Sequence, residues 1–226
     1  METIIISLGG SLIVPDSIDV EFLKNFKKLI LFHVALGKKF VIITGGGKTC
    51  RKYNDAFREI SKPSLEDLDW LGIYSTRFNA EFVRMIFDEY ANKEIILNPS
   101  SPVYFTKSII IGAGWQPGSS TDLDAVLIAK TVGAKKIINL SNIDYVYDKD
   151  PKKNPDAKKI EKISWTDYRK LIPEEWNYSG LNSPFDPTAS KMAETEGMQV
   201  MIMNGKPIDN LAKYLNGENF LGTIIS

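Results

Sequence analysis

Three short glycine turns, each placed directly after an apolar run, constrain this chain more than any other feature. Leu8-Gly9-Gly10-Ser11 follows the isoleucines at 4–6, and Gly45-Gly46-Gly47-Lys48 follows residues 40–44. The third, Gly112-Ala113-Gly114, leads into Gln116-Pro117-Gly118-Ser119-Ser120-Thr121-Asp122 and follows residues 109–111. Glycine has no Cβ, so a chain passing from strand to helix can turn tightly and aim its backbone N–H groups at one point. The positive end of the helix dipole adds to the attraction of that point for an anion. One such turn is commonplace, whereas three in series suggest a phosphate-handling enzyme built on an α/β sheet.

The rest of the chain alternates in the same way. Val20, Leu23, Phe26, Ile30 and Val34 recur at helical spacing, and Gly37 stops that helix before the strand over 40–44. A further helix follows Gly47. Residues 65–91 predict a long helix or a bent pair, with strands over 94–97 and 108–111 after it. Leu123, Val126, Leu127 and Ala129 predict a helix from Asp122 to the stop at Gly133, ahead of a strand over 136–140. Lys, Asp, Asn and Pro crowd residues 148–159, the composition of an exposed loop, and a short strand over 160–163 follows. A helix over 187–196, a strand over 199–203, a helix over 208–215 and a strand over 221–225 complete the pattern. The expected architecture is α/β, a single domain over residues 1–226.

Composition narrows the function classes. At 226 residues, 43% hydrophobic and 25% charged, the chain can bury a sizeable core and has neither a disordered nor a membrane composition. Its 28 Lys and Arg balance 28 Asp and Glu, so no general attraction to nucleic acid or to an anionic membrane is expected. No apolar run approaches the roughly 20 residues that cross a bilayer. The start Met1-Glu2-Thr3 is acidic, unlike a signal peptide, and a cytoplasmic protein is expected. Cys50 is the only cysteine, which excludes an internal disulfide and fits a reducing compartment. His33 is the only histidine and lies within a helical pattern, as a core or surface histidine. Zinc sites built on Cys and His, and Ser-His-Asp catalysis, are therefore disfavoured, and no protein-held metal is expected.

Spacing rejects two familiar nucleotide motifs. Gly47-Lys48-Thr49 imitates the end of a P-loop, but the earlier glycine would fall at Ile42, inside a strand. Gly112-Ala113-Gly114 imitates a dinucleotide fingerprint, but its third glycine would fall at Pro117.

Taken in order, Leu8-Gly9-Gly10-Ser11, Thr44 to Lys48 with Arg51-Lys52-Tyr53, Asp69 to Ile73 with Thr76-Arg77 and Asn79-Ala80, and Gln116-Pro117-Gly118 with Ser120-Thr121 form an ordered set. Ser141-Asn142-Ile143-Asp144, Val146-Tyr147, Asp150-Pro151, Asp186-Pro187 with Ala189 and Lys191, and Gly222 to Ile225 continue it. The set resembles the amino acid kinase family, and within it the archaeal-type UMP kinases, in which ATP phosphorylates UMP to UDP. The resemblance implies a three-layer αβα sandwich with a largely parallel central sheet. It also implies an acceptor site mainly in the N-terminal part and an ATP site mainly from about residue 121 onward. The implied substrates are ATP and UMP, with Mg²⁺ carried by ATP, in a homo-oligomer that family resemblance makes a hexamer.

Roles follow from the same resemblance. Gly9, Gly10 and Ser11 would face the transferring phosphate with backbone donors. Gly46 and Gly47 would lie under the acceptor nucleotide. Arg51 would offer its planar fork to a phosphate, and Gly9, Gly10, Gly47 and Arg51 would also face the ATP phosphates. Asp69 would hold the UMP ribose, and the loop Gly114, Trp115, Gln116, Pro117, Gly118, Ser119, Ser120 and Thr121 would surround UMP. Asp122 would align the cationic groups around the reacting phosphates, and Lys191 would be a cation near those of ATP. Ser141, Asn142, Tyr147 and Asp150 would hold the adenine nucleotide.

The chain departs from the pattern at Ser7, where many members carry a lysine, at Trp115, and over Asn182-Ser183-Pro184-Phe185. These departures keep two other readings open: a related kinase for another small phosphate or carboxylate, and a noncatalytic nucleotide or oxyanion binder resembling molybdenum storage proteins.

Overall fold

The computed structural model describes residues 2–174 and 183–226; Asn182, part of one divergent segment, lies outside them. In chain order the first elements are β1 (Thr3–Leu8), α1 (Gly10–Ile13), α2 (Val20–Ala35), β2 (Lys39–Thr44), α3 (Gly47–Ile60), α4 (Leu65–Phe87) and β3 (Ile109–Gly112). There follow α5 (Thr121–Val132), β4 (Lys136–Ser141), β5 (Val146–Tyr147), β6 (Lys159–Ile160), β7 (Lys162–Ile163), α6 (Trp165–Leu171), α7 (Pro187–Thr195), β8 (Gln199–Asn204), α8 (Ile208–Leu215) and β9 (Thr223–Ile225). The main sheet runs β3-β2-β1-β4-β8-β9-β7 and is parallel except where β8 meets β9.

The near-continuous apolar strands predict a sheet covered on both faces, and the packing follows residue parity. Ile4, Ile6 and Leu8 of β1 and Phe40 and Ile42 of β2 pack with Phe26 and Ile30 of α2, Val83 of α4 and Leu211 of α8. Ile5, Val41, Ile43 and Ile137 point the other way, against Val126 and Ala129 of α5, Tyr168 of α6 and Ala189 of α7. Three αβα layers result, with two cores sharing one sheet. His33 is 1% exposed and belongs to this packing. Burial, then the charge of Lys38, holds its imidazole below the ordinary value.

Local signals set the helix limits. Asp19 caps α2 through Phe22 N at 3.0 Å, Ser64 and Asp67 form a reciprocal capping box on α4, and Gly133 ends α5 with φ +73°. Residues 65–91 resolve as one long helix followed by a 3-10 turn over Asp88–Tyr90.

Two expected strands are corrected. Residues 94–97 form one isolated bridge to the sheet, Ile96 to Gly112, and Ala91 just before them forms another, to Ile109, so this segment flanks β3 without forming a ladder. The stretch 160–163 is two short strands, because the chain changes partners at Glu161. β6 pairs antiparallel with β5, and β7 pairs parallel with β9. Of the expected loop over 148–159, residues 148–158 connect the β5–β6 hairpin and Lys159 belongs to β6. Two short helices, α1 and α6, lie outside the sequence expectation.

Candidate active site

Strand order reverses beside β1: β2 lies on one side of it and β4 on the other. In open α/β sheets the crevice at the carboxyl ends of such strands is where ligands bind. The first glycine turn leaves β1 at that point and is pinned by Gly9 N donating to Leu140 O of β4 at 2.8 Å. Gly9 caps α1, whose first residues are Gly10 and Ser11, and the first N–H groups of a helix have no acceptor within it.

The second turn is packed backbone to backbone on the first. A Cβ on Gly10 would stand 2.1 Å from Gly47 N and 2.6 Å from Gly45 O, and one on Gly47 would stand 2.4 Å from Gly10 O. Gly47 also has φ +66°. Glycine at 10 and 47 is therefore needed for the contact between the turns as well as for the turns themselves.

Asp122, in the first turn of α5, ties four elements together. Its Oδ1 accepts from Ser7 Oγ of β1 at 3.2 Å and from Asn139 Nδ2 of β4 at 2.9 Å, and its Oδ2 accepts from Asp186 N at 3.3 Å, immediately before α7. Ser7 and Asn139 are register partners that continue the row begun by Ile5 and Ile137, so two polar residues end an apolar row at the carboxylate. Burial, then the charge of Asp186, pushes the Asp122 carboxyl up to about 7. Asp186 caps α7 through Ala189 N at 2.7 Å, and its own carboxyl is raised, chiefly by burial.

The third turn and its loop are held by α4 and α5. Thr76 Oγ1 accepts from Gly114 N at 2.8 Å, Arg77 donates to Gly114 O at 3.3 Å and Trp115 O at 2.9 Å, and Asp69 Oδ2 accepts from Gly118 N at 2.9 Å. Asp124, 0% exposed, accepts from Trp115 N at 3.2 Å and from Ser119 Oγ at 2.8 Å. Burial raises its carboxyl to about 7 against those two bonds. Ser120 caps α5 through Leu123 N.

Ser141, Asn142, Tyr147 and Asp150 line one cavity of about 490 Å³, together with Ile143, Lys152, Leu171 and Pro184. It opens at the carboxyl end of β4, next in the sheet to the first glycine turn. A cavity of about 850 Å³ lies at the opposite ends of the strands, beside Thr3 and Lys136, and contains none of the expected site residues.

The expected cations are less engaged. Arg51 on α3 and Lys191 on α7 have exposed side chains, and Lys48 is half-buried at the start of α3. Cys50 is a free thiol raised by burial, which does not suit a nucleophile. Among the described residues no group of three or more His, Cys, Asp or Glu is arranged to hold a metal ion, and no helix is long and apolar enough to cross a membrane. Sequence reasoning assigned no role to Asn139 or Asp124. The available signal was a polar residue inside the strand Ile137-Ile138-Asn139-Leu140 and a second acid in the apolar first turns of α5.

Known proteins resemble this chain along nearly its whole length. The chain is 31% identical over 225 residues to a uridylate kinase of Thermoplasma acidophilum, covering 99% of this chain and 96% of that protein. The crystal structure of uridylate kinase from Archaeoglobus fulgidus superposes with a TM-score of 0.82 at 29% identity, over the full length of both chains. A UMP kinase from Bacillus anthracis shares the fold, with a TM-score of 0.78 at 22% identity. The profile of the amino acid kinase family matches residues 2–204, and the chain belongs to that family.

Proposed function

We propose that this chain is a UMP kinase: it transfers the γ-phosphate of ATP to UMP, giving UDP and ADP. A UMP phosphate oxygen forms the new bond to the γ-phosphorus while the bond from that phosphorus to the β–γ bridging oxygen breaks. The observation that carries the reading is Asp122, a half-buried carboxylate bonded to β1, β4 and the start of α7. It directly follows the acceptor loop and is bonded to the strand that leads into the cavity at Ser141.

The residue roles are part of the proposal. The chain works as one domain, with UMP on the loop from Gly114 to Thr121 and on Asp69 and Gly46, and with ATP at Ser141, Asn142, Tyr147 and Asp150. The nucleophile is already an anionic phosphate oxygen, so the protein's task is to bring two anions together and offset their repulsion. Gly10, Ser11 and Gly47 supply backbone donors for that, the expected Gly9 donor being taken by Leu140 O, and Arg51 and Lys191 supply charge. Mg²⁺ enters as part of the ATP substrate, held mostly by phosphate oxygens and water. Two raised carboxyls, Asp122 by burial and then the charge of Asp186, and Asp186 by burial, make this end of the sheet receptive to cationic groups.

A cytoplasmic homo-oligomer, a hexamer by family resemblance, completes the proposal. Tyr74, Phe78 and Met85 support oligomerisation: they are 59%, 73% and 62% exposed and recur along one side of α4. Light scattering on the purified protein tests the assembly.

A coupled assay with ATP, Mg²⁺ and a panel of UMP, CMP, AMP and small carboxylic acids tests the reaction. Turnover of UMP above the other acceptors is expected. Turnover of another acceptor alone, or tight nucleotide binding without turnover, overturns the proposal.

A further inference from the structure

We propose that Asp124 is the positioning residue of the acceptor loop, holding Trp115 and Ser119 together so that residues 114–120 form a preset cradle for UMP. This deepens the UMP kinase reading and rests on it.

The loop leaves β3 at Gly112 and enters α5 at Thr121. Such a segment gains affinity for a ligand when the cost of ordering it is met within the fold beforehand. Asp124 is placed to do so. It lies one turn into α5, and helical side chains lean toward the N-terminus, here back over the loop. Its two oxygens take two different donors, Trp115 N and Ser119 Oγ, from opposite ends of a five-residue span. A carboxylate is an acceptor at both oxygens, so one side chain closes the span.

The peptide groups around Trp115 are then gripped from two sides. Trp115 N–H meets the carboxylate of α5, while the carbonyls of Gly114 and Trp115 meet the guanidinium of Arg77 on α4. Between these anchors the backbone of half-buried Trp115 is held in place. Asp124 itself is 0% exposed, so it acts through the loop and not by touching the nucleotide. An apolar residue would fill the same space on α5 but would leave Trp115 N–H buried without an acceptor.

Asp124→Ala and Asp124→Asn distinguish this role from simple core packing. Asparagine can keep both links: its amide oxygen accepts from Trp115 N–H and its amide nitrogen donates to Ser119 Oγ. Asp124→Ala is expected to raise KM for UMP by about tenfold or more, with kcat and KM for ATP changed by less than about threefold. Asp124→Asn is expected to hold KM for UMP within about threefold of the parent. Amide hydrogen exchange without nucleotide should quicken about tenfold over residues 114–119 in Asp124→Ala alone.

Equal KM values for UMP in the parent and Asp124→Ala, or unchanged exchange across the loop, overturn the proposal. So does an Asp124→Asn variant as impaired as Asp124→Ala. If Asp124→Ala does not fold, Ser119→Ala removes one link alone and should raise KM for UMP about threefold; no change there overturns the proposal. A parent enzyme that fails to phosphorylate UMP overturns the UMP kinase reading, while the exchange measurement still decides the role of Asp124.

Discussion

Ser7 Oγ donates to Asp122 Oδ1 over 3.2 Å, joining residues 115 apart in the chain. The hydroxyl adds one neutral hydrogen bond to a carboxylate that also accepts from Asn139 and from the backbone of Asp186. Loss of that single donor leaves two in place. Ser7→Ala is therefore expected to lower kcat by less than about tenfold. Ser7→Lys would set an ammonium beside Asp122 and draw its carboxyl below its value of about 7. A shift of the acid limb of the kcat pH profile to lower pH in Ser7→Lys is the measurement. An unchanged limb would show that Asp122 does not titrate in turnover.

Asp122→Asn keeps the size of the side chain and removes its charge. Its amide can keep one of the two acceptor positions but presents a donor at the other, where Asp186 N–H or the Ser7 and Asn139 donors now point. Misalignment of the groups around two reacting phosphates costs on the order of 100-fold or more. A drop in kcat of that size is expected, with far-ultraviolet circular dichroism unchanged. Turnover at the parent rate would remove Asp122 from the mechanism.

Stability should depend on pH through the two raised carboxyls. Asp122 and Asp124 both stand at about 7 in the folded protein against 3.8 as the unperturbed value. Between those values the folded chain binds more protons than the unfolded chain, so stability falls as pH rises, and the cost is complete above about 7. Each group contributes up to about 1.4 kcal/mol per pH unit within that window. His33, held below its ordinary value of 6.5, works in the opposite sense just below that value. The difference between parent and Asp124→Asn isolates one carboxyl. Urea unfolding from pH 5 to 8 should give a shallower decline for the variant, and parallel curves would contradict the raised value.

The layered fold and the glycine turns were legible because each rests on local signals: apolar runs, helical spacing and residues without a Cβ. The site was legible only in part. Ser141, Asn142, Tyr147 and Asp150, grouped by the ordered motifs, line one cavity. What held Asp122 was not visible, since Ser7 and Asn139 become neighbours only through the register of β1 with β4, two strands separated by 127 intervening residues, 9–135. Asp124 was hidden for the same reason: its donors lie in a loop whose path depends on α4. The split at Glu161 was unreadable because strand residues do not announce which partner they will pair with.

The contact between the first two glycine turns gives the sharpest contrast between two substitutions of one kind. Gly37 has φ +85° but nothing within 4 Å of an added Cβ, so Gly37→Ala should cost only the strain of a left-handed residue, about 1 to 2 kcal/mol. Gly10→Ala would place its Cβ 2.1 Å from Gly47 N and 2.6 Å from the Gly45 carbonyl carbon and oxygen, all backbone atoms of the other turn. Backbone cannot rotate away as a side-chain tip can, so the turns must separate. The expected loss of stability is about 3 kcal/mol or more. Activity should follow the same split, because separating the turns moves the N–H groups of Gly10, Ser11 and Gly47 apart, whereas Gly37 stands on the far side of β2. Urea unfolding and the UMP assay on both variants check this. Gly10→Ala with the stability and turnover of Gly37→Ala would show that the turns do not need their close approach.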